Sequence, residues 1–208
     1  MTDSLVILLH GVGARGTDLD PLRDALRAHL PNTQFVAPDA PDPFDRGKPL
    51  RQWFSTTGVT VVNRPQRVAA ARAGFDAIIN DIVDVQGLKN RLDRVAFVGF
   101  SQGAIMALDA AASGRWRVAA TVAFAGRLAS PPPLSPAGAR ILLVHGAADT
   151  VIPAAESEEA FSRLHAAGAD VSFETLPDVG HFVSPDGIAL AGAYLARIFK
   201  ANTAAMQV

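Results

Sequence analysis

Gly99-Phe100-Ser101-Gln102-Gly103 stands between the apolar run Val95-Ala96-Phe97-Val98 and a helix-forming stretch from Gln102 to Ala112. A serine in this pattern predicts a sharp strand-to-helix turn that lifts its hydroxyl above the end of a sheet. The glycines fit such a turn because strand and helix approach too closely there for a Cβ. The turn therefore demands a buried strand before it and a helix after it, and the rest of the chain repeats that alternation.

Leu5 to Leu9 reads as a buried strand. Asp20 is placed to cap a helix, with Pro21 at its first position and Leu22, Ala25, Leu26 and Leu30 on its apolar face. Phe35 to Ala37 is a short strand, and Pro38 to Arg64 a long irregular segment rich in Pro, Asp and Arg. Val68, Ala71, Phe75, Ile78 and Ile82 mark an amphipathic helix from Pro65, with Gly87 ending it. Further strands are expected at Val118 to Ala123, Ile141 to Val144 and Val171 to Leu176, the last an edge strand by its alternation. Helices are expected from Pro153 to Ala167 and after Ser184-Pro185. The repetition implies an α/β fold: a mostly parallel central sheet, helices on both faces, right-handed crossovers and no large cap domain. Residues 1–200 read as a single domain, and 201–208 as a tail with little to bury, where disorder is expected.

Composition narrows the function. A net charge of -1 argues against a nucleic-acid partner, and without cysteine there is no thiolate nucleophile and no zinc–thiolate site. The N-terminus lacks a basic region before its first apolar run, and no stretch is long enough to span a bilayer. A cytoplasmic protein without stable membrane insertion is the expectation. A homodimer is compatible with the sequence, which does not fix the oligomeric state.

A serine hydroxyl needs a base, the base an orienting acid, and the developing oxyanion fixed donors. Of the 5 histidines, His29 and His165 fall on helices, while His10 and His145 end strands before glycine and read as loop-holding residues. His181, in the loop between the last strand and the last helix, is the base best placed to reach Ser101. Asp149 follows the strand Ile141 to Val144 and is the expected acid; a helix cap near Pro153 is its structural alternative. Asp178 competes for the role, although a local turn explains it as well. The oxyanion donors are expected to be the backbone N–H groups of Gln102 and Val12.

Gly11-Val12-Gly13-Ala14-Arg15-Gly16 followed by Asp39 imitates a dinucleotide-binding pattern. The helix begins too late, however, and Asp18 and Asp20 would face a pyrophosphate, so no cofactor and no metal are expected.

These residues together resemble the phospholipase/carboxylesterase branch of the α/β-hydrolases, which includes acyl-protein thioesterases. The resemblance rests on Leu9-His10-Gly11-Val12-Gly13 and Arg51-Gln52-Trp53-Phe54, the serine turn, His145-Gly146-Ala147-Ala148-Asp149, and Gly180-His181 with Ser184-Pro185. It implies the triad Ser101, Asp149 and His181, an oxyanion hole from Val12 and Gln102, and an acyl pocket bordered by the loop around Trp53. The expected activity is hydrolysis of small-molecule carboxylic esters with short to medium acyl chains. The alternatives are an acyl thioesterase or lysophospholipase using the same triad and, outside hydrolysis, a hydrolase-fold binding protein. The first loop is closer to the bacterial esterase version than to the thioesterase one. Trp53, Phe54 and Phe182 are expected to line an open, shallow pocket. Arg46, Lys48 and Arg51 are weighed as contacts for an anionic leaving group, with a solvated loop face as the other reading.

Overall fold

The structure, a computed structural model, describes residues 4–47, 49–136 and 138–204. Its frame is a six-stranded sheet in the order β2-β1-β5-β6-β7-β8, and every pairing in it is parallel. The strands are β1 (Ser4–Leu9), β2 (Thr33–Val36), β5 (Val95–Phe100), β6 (Ala120–Phe124), β7 (Arg140–Gly146) and β8 (Asp170–Leu176). The helices are α1 (Asp20–Arg27), α2 (Arg64–Val85), α3 (Gln102–Ala112), α4 (Ala155–Ala166) and α5 (Pro185–Ala204). Among the described residues no helix is long and apolar enough to cross a membrane.

Strand alternation sorts the core into layers. Val6, Leu8, Ala96 and Val98 meet Leu22 and Leu26 of α1 and Ala191, Leu195 and Ile198 of α5. Their neighbours Leu5, Ile7, Leu9, Val95 and Phe97 point the other way, onto Val68, Phe75 and Ile79 of α2 and Ile105 and Met106 of α3. Near-continuous apolar strands are what burial on both faces of a parallel sheet requires.

Several expectations need correction. Asp20 is the first helical residue and not the cap: Leu19 holds that place, because a short 3-10 turn over Gly16–Leu19 runs straight into α1. The Asp20 carboxylate accepts from Arg23 instead, at 2.7 Å. In α2 the fully buried residues are Val68, Phe75, Ile79 and Val83, with Ile78 and Ile82 on the flank of the core face. Both registers satisfy the helical period, and the sheet and α3 decide between them. Finally, α5 continues to Ala204, so 201–204 are helical, while 205–208 lie outside the described residues.

The segment 38–63 is not wholly irregular. It folds into the ribbon β3 (Asp42–Pro43) and β4 (Arg51–Gln52), paired antiparallel. Gly13 N–H donates to Arg51 O (2.9 Å) and Arg51 N–H to Ala14 O (3.1 Å), which ties the ribbon to the loop after β1. The Asp45 carboxylate collects Gln52 Nε2 and Ser55 Oγ, each at 2.7 Å, and Thr57 Oγ1 at 2.9 Å. Those donors hold its carboxyl well below the usual range.

Candidate active site

In open parallel sheets, ligands bind beyond the carboxyl ends of the strands where the chain reverses its direction of winding. Here that point lies between β1 and β5, since β2 flanks β1 on one side and the chain then crosses to β5 on the other. Ser101 follows β5 directly, with φ 53° and ψ -115°, a strained conformation for a residue with a side chain. The strain is held from both sides: Ser101 N–H donates to Phe124 O of β6 (3.0 Å), and Ile105 N–H, one turn into α3, donates to Ser101 O (3.1 Å). Gly103 is obligatory, because an added Cβ would overlap the Leu9 carbonyl of β1.

The sequence-predicted base and acid meet this serine. His181 Nε2 lies 3.0 Å from Ser101 Oγ, and His181 Nδ1 lies 2.7 Å from Asp149 Oδ2. An ionised carboxylate only accepts, so Nδ1 carries the hydrogen and Nε2 is left to accept from the serine hydroxyl. Phe100 supports the imidazole, with ring centroids 5.0 Å apart. The loops bearing acid and base are joined by Ala147 N–H to Leu176 O (2.8 Å) and Ala148 N–H to Val179 O (3.0 Å). Asp178 is exposed and takes a left-handed turn with φ 59°; Asp149 is the carboxylate on the histidine.

Asp149 is 7% exposed. Burial opposes its ionisation, but the hydrogen bond from His181 and the N–H groups of Ile152 (2.9 Å) and Val151 (2.8 Å) outweigh it and hold the carboxyl below its ordinary value. His145 adds a contact the sequence did not announce. Its Nε2 sits 2.7 Å from Ile152 O and 3.2 Å from Asp149 Oδ2, and its Nδ1 lies 2.6 Å from Ser157 Oγ. The buried His145 thus holds the acid-bearing loop and touches the acid itself.

The loop after β1 lies over the serine. A Cβ on Gly11 would stand 3.4 Å from Ser101 Cβ, and Val12 follows. The N–H groups of Val12 and Gln102 donate to no acceptor among the described residues. The Gln102 side chain was missed at the level of sequence, where only its N–H had a role. It is buried, with Oε1 accepting Trp53 N–H (2.8 Å) and Nε2 donating to Phe54 O (2.7 Å). Trp53 Nε1–H then donates to His10 O (2.9 Å).

The expected pocket residues divide. Phe182 is 54% exposed beside His181, whereas Trp53 is 1% and Phe54 6% exposed. The Trp53 indole packs into an aromatic series with His10, Phe75, Phe97 and Trp116. It braces the rim from beneath and shows a ligand almost no surface. The loop cations divide too. Arg51 is committed to the carbonyls of Ala40 and Pro41, Arg46 is exposed, and Lys48 lies outside the described residues. The dinucleotide-like glycines serve packing: a Cβ on Gly16 would overlap Ala37 O, and Asp39 is occupied by Gly16 N–H (2.8 Å) and Arg15 (3.0 Å). His10 and His145 are buried as loop-holding residues, and His29 and His165 are exposed.

Comparison with known proteins groups the chain with phospholipases and carboxylesterases. The phospholipase/carboxylesterase family profile matches residues 2–198. Esterase YpfH of Escherichia coli is 33% identical over 180 residues, which cover 86% of this chain and 76% of that one. Acyl-protein thioesterase 1 of Mycosarcoma maydis is 24% identical across 95% of this chain and 92% of that protein. The crystal structure of esterase PE8 superposes with a TM-score of 0.86 at 33% identity, covering 95% of this chain and 93% of that one.

Proposed function

The chain belongs to the phospholipase/carboxylesterase family of hydrolases, and from that premise we propose that it cleaves carboxylic esters through Ser101, His181 and Asp149. The observation that carries this reading is the unbroken contact from Ser101 Oγ through His181 to Asp149 Oδ2, at 3.0 and 2.7 Å.

Ser101 Oγ attacks the acyl carbon while His181 Nε2 takes its proton. The carbonyl oxygen becomes an oxyanion that the N–H groups of Val12 and Gln102 face; such donors, fixed beforehand, are each worth on the order of a hundredfold or more in rate. His181 returns the proton to the departing alkoxide, which leaves an acyl-enzyme and a free alcohol. A water molecule then gives its proton to His181 and adds to the acyl carbon; the acyl–Oγ bond breaks, His181 returns the proton to Ser101 Oγ, and the acid leaves. Asp149 keeps the imidazole in the productive tautomer and stabilises its charged form. Exposed Phe182 offers apolar surface for an acyl chain of short to medium length.

Thioester hydrolysis by the same groups is the second reading, because the fungal acyl-protein thioesterase aligns over 95% of the chain. The test is hydrolysis of p-nitrophenyl esters from acetate to palmitate by wild type and Ser101→Ala. A fall of roughly a thousandfold or more in the variant is expected. Equal rates in the two proteins would end the serine mechanism, and a maximum at palmitate would end the proposed chain length.

A further inference from the structure

We propose that the cavity at the amino-terminal end of the sheet, between α5 and the first residues of β1 and β2, binds a phosphate monoester carried by a small soluble molecule. It lies at the opposite end of the strands from Ser101 and does not depend on the hydrolase reading.

The cavity holds about 210 Å³. At roughly 30 Å³ per water that is room for about seven waters, enough for a phosphate group and a few further atoms. Ser4 opens β1, Thr33 opens β2 and Arg94 immediately precedes β5, so three adjacent strands each bring a polar side chain to it. The last turn of α5 closes the other side with Lys200 and Thr203, which share one helical face. His29, in the turn after α1, completes the wall. Strands of 6 residues at ~3.3 Å per residue separate this cavity from the serine turn by roughly 20 Å.

Arg94 makes the cavity a site. It is 9% exposed, a depth at which a guanidinium ordinarily has a carboxylate partner. Here its Nη1 donates to Thr203 Oγ1 at 2.5 Å, and no carboxylate bonds to it among the described residues. The neighbouring Asp93 carboxylate is taken by Arg91 Nε and Nη2, at 3.0 and 3.2 Å. Arg94 Nε and Nη2 have no partner among the described residues, yet neither is sealed from solvent; Ser130 Oγ is the buried side-chain atom in that state. Since Thr203 and Arg94 both line the cavity, these unused planar donors face it.

The surrounding groups add donors and no negative charge. Ser4 Oγ and Thr33 Oγ1 are 2.7 Å apart; only one of their two hydrogens lies between them, so the other is free to donate. Thr203 spends its hydrogen on Phe199 O (2.8 Å) and can only accept from Arg94. Lys200 and His29 are exposed at the mouth, with no hydrogen bond or ion pair among the described residues. No Asp or Glu lines the cavity among the described residues. Donors on three sides and cations on two suit a phosphate monoester, which brings three acceptor oxygens and a charge of about -1.5 to -2 at neutral pH. None of the exposed large hydrophobic side chains borders this mouth, which leaves nothing to enter a bilayer and favours a soluble source.

The test is calorimetric titration of the full chain with glycerol 3-phosphate at constant ionic strength, with glycerol as the uncharged control. Wild type is expected to bind the phosphate and not the glycerol. Kd should rise about tenfold or more in Arg94→Gln and severalfold in Lys200→Gln. Lys200 is exposed, so its variant reports even if the buried substitution fails to fold. Ser101→Ala should bind as wild type does, and glycerol 3-phosphate should not compete with p-nitrophenyl esters. Vesicles of phosphatidic acid in phosphatidylcholine should not sediment the protein. No binding by wild type, an unchanged Kd in both arginine and lysine variants, or binding lost in Ser101→Ala would overturn the site and leave the serine mechanism to its own test. Sedimentation with the vesicles, without binding of glycerol 3-phosphate, would overturn the soluble source.

Discussion

The side-chain amide of Gln102 is clamped to the backbone at Trp53, accepting its N–H at 2.8 Å and donating to the next carbonyl at 2.7 Å. The residue whose N–H faces the proposed oxyanion thereby also fixes the rim of the cleft. Gln102→Ala leaves a buried N–H and a buried carbonyl unpaired, at about 1–3 kcal/mol each. The urea midpoint should fall accordingly, and kcat should drop more than KM rises. Gln102→Glu keeps an acceptor for Trp53 but sets oxygen against Phe54 O, so it should be at least as damaging. A wild-type midpoint in Gln102→Ala would show that the clamp carries no stability.

Asp149→Asn tests the orienting acid. An amide can present a donor to His181 Nδ1 and so favours the wrong tautomer, at a cost of roughly a thousandfold to ten-thousandfold in kcat at neutral pH. Because the Asp149 carboxyl titrates below its ordinary 3.8, it stays ionised through mildly acidic conditions. An acid limb in activity above pH 5 should therefore persist in the residual rate of the variant. The sign for stability follows from linkage: a depressed folded value contributes stability above the unfolded value, lost as pH falls through the folded one. Denaturant titrations of the variant should accordingly flatten below about pH 4 relative to wild type.

Glycine substitutions separate close approach from turn strain. Gly103→Ala drives a Cβ into the Leu9 backbone, which cannot move without breaking β1, so little soluble protein is expected. Gly87 ends α2 with φ 68° and open space around it, so Gly87→Ala should cost only about 1 kcal/mol. Thermal melts of the two variants would decide; comparable melting temperatures would refute the steric argument at the serine turn.

His10 makes part of the stability pH-dependent. Its Nε2 accepts Ala40 N–H at 3.0 Å in a site with no exposure, and burial above all holds its pKa below 6.5. Protonation would break that bond. The unfolded chain takes up the proton first, so stability should decline as pH falls below 6.5 toward the folded value. His10→Gln should melt lower at neutral pH but decline less between pH 7 and 5. An equal decline in both proteins would assign the effect elsewhere.

The geometry of the site was legible because its parts sit in short motifs at strand ends: the serine turn, the His145 to Asp149 run, and the His181 loop. What was not legible depends on contacts between distant segments. Gln102 and Trp53 are 49 positions apart, and nothing local marks the amide as a clamp. Trp53 reads equally well as a pocket wall or a core residue until Phe75 and Phe97 are seen against it. The α2 face is ambiguous by one position for the same reason, since Ile78 and Ile79 both fit the period and the packing partner selects.

The aromatic series from His10 to Trp116 runs from the rim of the cleft through the buried layer beneath it. The rim of the cleft and the core of the fold are then held by the same side chains. A change at Trp53 would disturb the core and the rim together. The outward-facing positions Phe182 and Val151 are different: a change there costs the core nothing. The side of the cleft next to the histidine therefore tolerates change, while the opposite wall is tied to the core.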